Sequence, residues 1–166
     1  MTDASWNFSL LLLFALQHSG MARWRLSRRV YALSSLAILI GVWLLWRPMP
    51  DLLWTSPGWT RPVWWAGFVL LFAAAGSLNA AELIGFREPG PPVFREPGLY
   101  RYSRHPMYVG LLLLLWLRPS MTEGGLLLAL VLSIYLAVGM EFEEHKLVRE
   151  LGEPYRDYQR RVRRLL

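Results

Sequence analysis

Residues 124–147 read GGLLLALVLSIYLAVGMEFEEHKL, an apolar run that stops at Glu141 and turns at once into acids, a histidine and a lysine. Residues 124–140 carry no charge, and a helix of that length covers most of the ~30 Å thickness of bilayer hydrocarbon. The stretch predicts a membrane span whose polar chemistry begins at its exit. Four more apolar stretches precede it, at residues 6–20, 30–46, 62–84 and 107–117, separated by short polar or proline-rich links. The expected fold is all-α: one domain, residues 1–166, forming a polytopic bundle of about five transmembrane helices. A loop at 85–106 and a tail at 141–166 carry the polar chemistry. The fourth stretch is well under the roughly 20 residues a crossing helix needs, so it must tilt, draw on the apolar loop 118–123, or cross only in part.

Composition agrees, since of 166 residues 54% are hydrophobic and only 18% charged, too apolar for a soluble domain and too short for two. The absence of cysteine excludes disulfides, a thiol nucleophile and thiolate metal sites. Asp3 replaces a basic leader, and no small-residue cleavage pattern follows Gln17-His18-Ser19, so the first segment is expected to be retained rather than removed as a signal peptide. The net charge is +6, and fifteen of the 18 Lys and Arg fall in the first link, the third link and the tail. Cations stay on the cytoplasmic side, so five spans with the N-terminus outside and the C-terminus cytoplasmic bring all fifteen to one face. Trp6, Trp46, Trp54, Trp59, Trp64, Trp65 and Trp116 then map to the outer interface, where indoles anchor. The basic excess is mostly topogenic: the expected partner is a lipid bilayer and not a nucleic acid.

The third link repeats FREPG at Phe86–Gly90 and Phe94–Gly98 around Pro91-Pro92, a pattern of consecutive turns that reads as a stiff connector. Past Gly152-Glu153-Pro154, Tyr155, Tyr158, Val162 and Leu165 recur at helical spacing opposite Arg156, Arg160, Arg163 and Arg164. That pattern predicts an amphipathic helix lying on the inner leaflet, its basic face toward anionic lipid.

Polar groups gather at the cytoplasmic ends of spans: Gln17-His18, Arg104-His105 and Glu141, Glu143 and Glu144. The hairpin of spans four and five sets RHPMYVG (Arg104–Gly110) against EFEEH (Glu141–His145). Pro106 suits the first turn of a helix and holds His105 extended before it. The free N–H groups there attract an anion. Gly110 admits a ligand close to the backbone, Tyr108 offers a flat ring, and Glu143 and Glu144 can accept an ammonium. A zwitterionic ligand fits this layout. The bland alternatives are interfacial Arg and His at a span's end and tail glutamates paired with Lys146 or Arg149. A metal site at Glu141, Glu144 and His145 lacks a second cluster, so no metal is expected.

RHPMYVG followed by EFEEHKL and LGEPYRDYQRRV resembles the C-terminal half of integral-membrane methyltransferases, the isoprenylcysteine carboxyl methyltransferases and phospholipid methyltransferases among them. FALQHSGMAR, WRPMPDLLW and RPSMTEGGLLLAL extend the resemblance over nearly the whole chain and are most similar to the bacterial methanethiol S-methyltransferase branch. The chain departs from that branch where the third span ends SLNAAELIGFRE, with Asn79 and Glu82 in place of an Asn-His pair and an acid, and in lacking a closing Val-Pro. The resemblance implies S-adenosylmethionine as donor, bound by Tyr100, His105, Pro106, Tyr108, Gly110, Glu143 and Glu144. It implies a small thiol or lipophilic acceptor entering from the membrane. Arg104 would stabilise the thiolate and His18 would take its proton. An isoprenylcysteine carboxylate or a lipid amine is the alternative acceptor; an NADPH-dependent membrane reductase or a non-enzymatic protein of nitrogen-oxide metabolism is the alternative class.

Overall fold

The computed structural model describes residues 2–23, 28–78 and 94–165. Among these, six helices and one small sheet follow in the order α1 (Asp3–Arg23), α2 (Arg28–Leu45), β1 (Leu52–Thr55), α3 (Thr60–Gly76), a 3-10 turn (Gly98–Arg101), α4 (Pro106–Trp116), β2 (Ser120–Thr122), α5 (Glu123–Leu151) and α6 (Glu153–Arg161). Helix α5 runs unbroken through the apolar stretch and its charged exit. By length and composition it is the described helix that meets the requirement of a membrane span, while α4 and most of α2 are shorter apolar helices. Its start is capped by Thr122, whose hydroxyl accepts from the Gly125 amide at 3.1 Å. The outward faces of α2, α3 and α5 expose Trp43, Phe72 and Ile134 by 77%, 69% and 66%. Apolar surface of that extent is covered by lipid in a membrane protein.

The helices alternate in direction, and their ends are tied accordingly. Asn7, fully buried near the start of α1, donates to the Arg47 carbonyl at 2.7 Å and accepts from its amide at 2.9 Å, just past the end of α2. The Trp6 indole donates to the Leu45 carbonyl beside it at 2.9 Å. At the same end β1 pairs antiparallel with β2, Leu52 opposite Thr122 and Thr55 opposite Ser120, with a bulge between Leu52 and Trp54. The sequence shows neither strand, because segments this short leave no room for alternation.

Helix α1 packs on α2 and α5 around Leu10, Leu11 and Val42, and α4 packs on α5. The tightest pairing is α3 with α4. A Cβ on Gly67 would stand 2.9 Å from the Gly110 carbonyl oxygen, and one on Gly110 would stand 2.7 Å from that of Gly67. Gly110 was expected to leave room for a ligand; the space is taken by the backbone of α3. The third apolar stretch is described only to Leu78; Asn79, Glu82 and the first FREPG lie outside the described residues.

Gly152, at φ 66°, turns the chain between α5 and α6. The apolar face of α6 then lies on protein, not on lipid: Tyr155, Tyr158 and Val162 are buried against Phe94, Leu147, Val148 and Leu151.

Candidate functional site

The sequence of α4 dictates its own beginning. Pro106 takes the first helical position and His105 the cap, at φ −129° and ψ 57°. The amides of Tyr108 and Val109 both bond the His105 carbonyl. This sets the His105 ring against Tyr108, nearly parallel at 15° and 5.1 Å between centroids. The buried imidazole bridges two acids of α5: its Nε2 lies 3.0 Å from Glu144 Oε1, and its Nδ1 lies 3.7 Å from Glu143 Oε2. The Tyr108 hydroxyl donates to Glu143 Oε2 at 2.9 Å. Helix α4 thus meets α5 through the two clusters the hairpin was expected to join.

The two glutamates differ in what they have left to offer. Glu144 is buried and receives Arg104 on both oxygens at 2.8 and 3.1 Å, His105 on one, and Gln159 and Arg164 on the other at 3.0 and 3.1 Å. Burial pushes its carboxyl up, but the hydrogen bonds from Arg104, Arg164 and His105 prevail and bring it down to about 2. Glu143 is 46% exposed, leaving carboxylate surface open for an incoming cation. Tyr100, in the 3-10 turn, belongs to the same group: its hydroxyl is pushed up to about 12, first by burial and then by the Glu143 charge.

Arg104 was expected to stabilise an anion and Glu144 to accept an ammonium, and both are already committed. Besides gripping Glu144, Arg104 donates through Nη1 to the Gln159 and Val162 carbonyls at 3.1 and 2.7 Å. The amides of Arg104 and His105 bond the carbonyls of Arg163 and Arg164, and the Tyr158 hydroxyl reaches the Tyr100 carbonyl at 2.6 Å. Residues 158–164 therefore hold the start of α4 in place. Gln159 went unremarked in the sequence, and Arg164 was read only as one cation on the basic face of the tail. Pro106 faces the other side of α4, where it lines an apolar cavity of about 250 Å³ with Leu70, Leu99, Tyr102, Ser103 and Val109. His145 bonds the Glu141 carbonyl on its own helix at 2.6 Å.

His18 sits at the same end of the bundle, in a second cluster where α1, α2 and α5 converge. Its Nε2 lies 2.6 Å from the Tyr31 hydroxyl and its Nδ1 3.1 Å from Ser35 Oγ. Phe14 stacks on the ring at 5.4 Å, and Tyr135 of α5 meets it edge-on at 6.4 Å. Tyr31 and Tyr135 went unremarked in the sequence; the signal was the Ser34-Ser35 pair, polar residues one turn into an apolar span.

Comparison with known proteins adds a family to this geometry. The family described as NnrU protein matches residues 9–163. The chain belongs to the NnrU family. Among relatives of this NnrU-family chain, a methanethiol S-methyltransferase of Pseudomonas sp. (strain GM41(2012)) is 37% identical, over 92% of this chain and 69% of the relative. Methanethiol S-methyltransferase 2 of Bradyrhizobium diazoefficiens is 38% identical, over 94% and 70%. Nurim of Bos taurus is 31% identical, over 86% and 67%. No solved structure matches the chain.

Proposed function

We infer that this protein is a membrane methyltransferase that methylates a small thiol, methanethiol being the acceptor in the names of its bacterial relatives. The observation that carries the reading is identity of 37% over nearly the whole chain to an enzyme of that name, on a chain whose helices bring RHPMYVG and EFEEHKL together. The donor is S-adenosylmethionine, which supplies an electrophilic methyl on a sulfonium. Glu143, held in its rotamer by Tyr108 and partly open, suits the donor's ammonium. The N-terminus of α4 suits its carboxylate, and the His105–Tyr108 stack gives a flat wall. Arg104 and Glu144 act behind this surface, positioning His105. Alignment is the main demand of an in-line displacement and is worth up to ~7–11 kcal/mol.

Five membrane crossings, with the N-terminus outside and the tail in the cytoplasm, fit the alternating helices and the fifteen cations that the sequence places in the first link, the third link and the tail. The direct test is gas chromatography of the headspace over membranes carrying the protein, supplied with methanethiol and S-adenosylmethionine. Dimethyl sulfide should accumulate, and Glu143→Gln should weaken donor binding about tenfold, the worth of one charge-assisted hydrogen bond. No dimethyl sulfide above control membranes would overturn the reading.

A further inference from the structure

A cleft of about 500 Å³ lies between the charged exit of α5 and helix α6. Helix α5 lends it Glu141, Glu144, His145 and Val148, which recur at i, i+3, i+4 and i+7 and so share one face. Helix α6 and the residues just past it lend Arg156, Gln159, Arg160 and Arg164. The depth of the cleft follows from the rise of a helix. The apolar run of α5 ends at Met140, and at ~1.5 Å per residue Glu141 to Val148 stand roughly 1.5 to 12 Å beyond it. Lipid headgroups occupy the first ~5–7 Å outside the hydrocarbon. The α5 wall of the cleft therefore begins in the headgroup layer, level with lipid phosphates.

The charges on the two walls are not equally committed. Glu141 and Glu144 share Arg164, and Glu144 holds Arg104, His105 and Gln159 besides. The acidic wall is neutralised from within the fold. Arg156 pairs with Glu153 at 2.6 Å, and Arg160 with Asp157 and, at 3.9 Å, with Glu153. These acids belong to α6 itself, and all four side chains are more than half exposed. Exposed pairs one turn apart are weak, and a phosphate that accepts from two guanidiniums outcompetes them. His145 gives its Nδ1–H to the Glu141 carbonyl, so the neutral ring keeps Nε2 as an acceptor. Two loosely held guanidiniums beside one acceptor complement a phosphate that carries hydroxyls.

We propose that the cleft binds the headgroup of an anionic phospholipid of the phosphatidylglycerol type, its phosphate taken by Arg156 and Arg160 and a glycerol hydroxyl donating to His145. The leaflet is the source of this phosphate, because the cleft stands level with it and the acyl chains keep the headgroup there. A zwitterionic headgroup fits less well: its ammonium would need Glu141 or Glu144, and Arg164 already holds both. Helix α6 is then fastened on two sides, to protein through Tyr155 and Tyr158 and to lipid through its arginines.

The test is native mass spectrometry of the full chain released from nanodiscs that hold equal amounts of phosphatidylglycerol and phosphatidylcholine. The wild type should keep phosphatidylglycerol in excess. A basic residue at a membrane surface is worth roughly fivefold in attraction, so Arg156→Gln combined with Arg160→Gln should weaken phosphatidylglycerol binding about 25-fold. Arg101→Gln combined with Arg149→Gln removes the same charge from two exposed positions outside the cleft and should leave the preference intact. Melting in phosphatidylcholine alone reports whether each variant folds; should the first pair not fold, Arg160→Gln replaces it, with a loss of about fivefold expected. Equal retention of the two lipids by the wild type would overturn the site, and equal losses in the two double variants would reduce it to diffuse attraction. Phosphatidylglycerol in the nanodisc should also raise the melting temperature of the wild type, whereas glycerol phosphate added to phosphatidylcholine nanodiscs should not. Equal rises would make the ligand a free phosphate ester and defeat the lipid assignment.

Discussion

Glu144 shows how far one residue's role depends on partners invisible in its own neighbourhood. Desolvation raises its carboxyl, and the hydrogen bonds from Arg104, Arg164 and His105 override it to hold the group at about 2. A folded value below the ~4.3 of a free glutamate means the folded state binds the proton more weakly than the unfolded one. The resulting stabilisation is complete above about pH 4.5 and is lost as pH falls toward about 2. Thermal melts of the detergent-solubilised protein should drop across that window. Glu144→Gln should melt lower at neutral pH and lose the drop, and parallel curves for the two proteins would place the acid sensitivity elsewhere. Read in sequence, EFEEH offered Glu143 and Glu144 as equivalent acids, and nothing in their spacing says that Glu143 stays open while Glu144 is enclosed. That distinction comes from Gln159 and Arg164, which only the folded tail delivers.

Among the elements, α4 was the most legible and the two strands the least. Proline at a first helical position and histidine before it mark the start of α4 wherever the rest of the chain lies. A glycine one turn in is ambiguous, because close approach to a ligand and close approach to a helix need the same missing side chain. Its partner is Gly67, far away in sequence, so the helix crossing could not be seen. Gly110→Ala should therefore lower the melting temperature by an amount matching the ~1–3 kcal/mol of overpacking, with S-adenosylhomocysteine affinity per folded molecule unchanged. A loss of affinity with an unchanged melt would return Gly110 to the donor site. For α6, the alternation of tyrosines and arginines correctly foretold an apolar face. Whether that face meets lipid or protein depends on Phe94 and the end of α5, and periodicity carries no information about the partner. The strands at Leu52–Thr55 and Ser120–Thr122 were hidden for a plainer reason: three or four residues cannot display a period of two.

For the whole molecule, the proposed orientation rests on the count of cations by link, which puts the N-terminus outside and the tail in the cytoplasm. The chain contains no cysteine, so single cysteines report on topology without a background to remove. Asp51→Cys, exposed beside β1, and Lys146→Cys, exposed at the end of α5, should behave oppositely toward a membrane-impermeant maleimide in right-side-out vesicles. Position 51 should label and position 146 only after permeabilisation; the reverse pattern would invert the orientation. One further consequence follows from the grip of residues 158–164 on Arg104 and His105. Synthesis runs from the N-terminus, so every apolar helix has been made before this grip can form. Insertion into the bilayer and completion of the proposed donor surface are thus separate events in time, and a ribosome that stalls after α5 leaves a chain that carries every apolar helix but not the segment that fixes the start of α4.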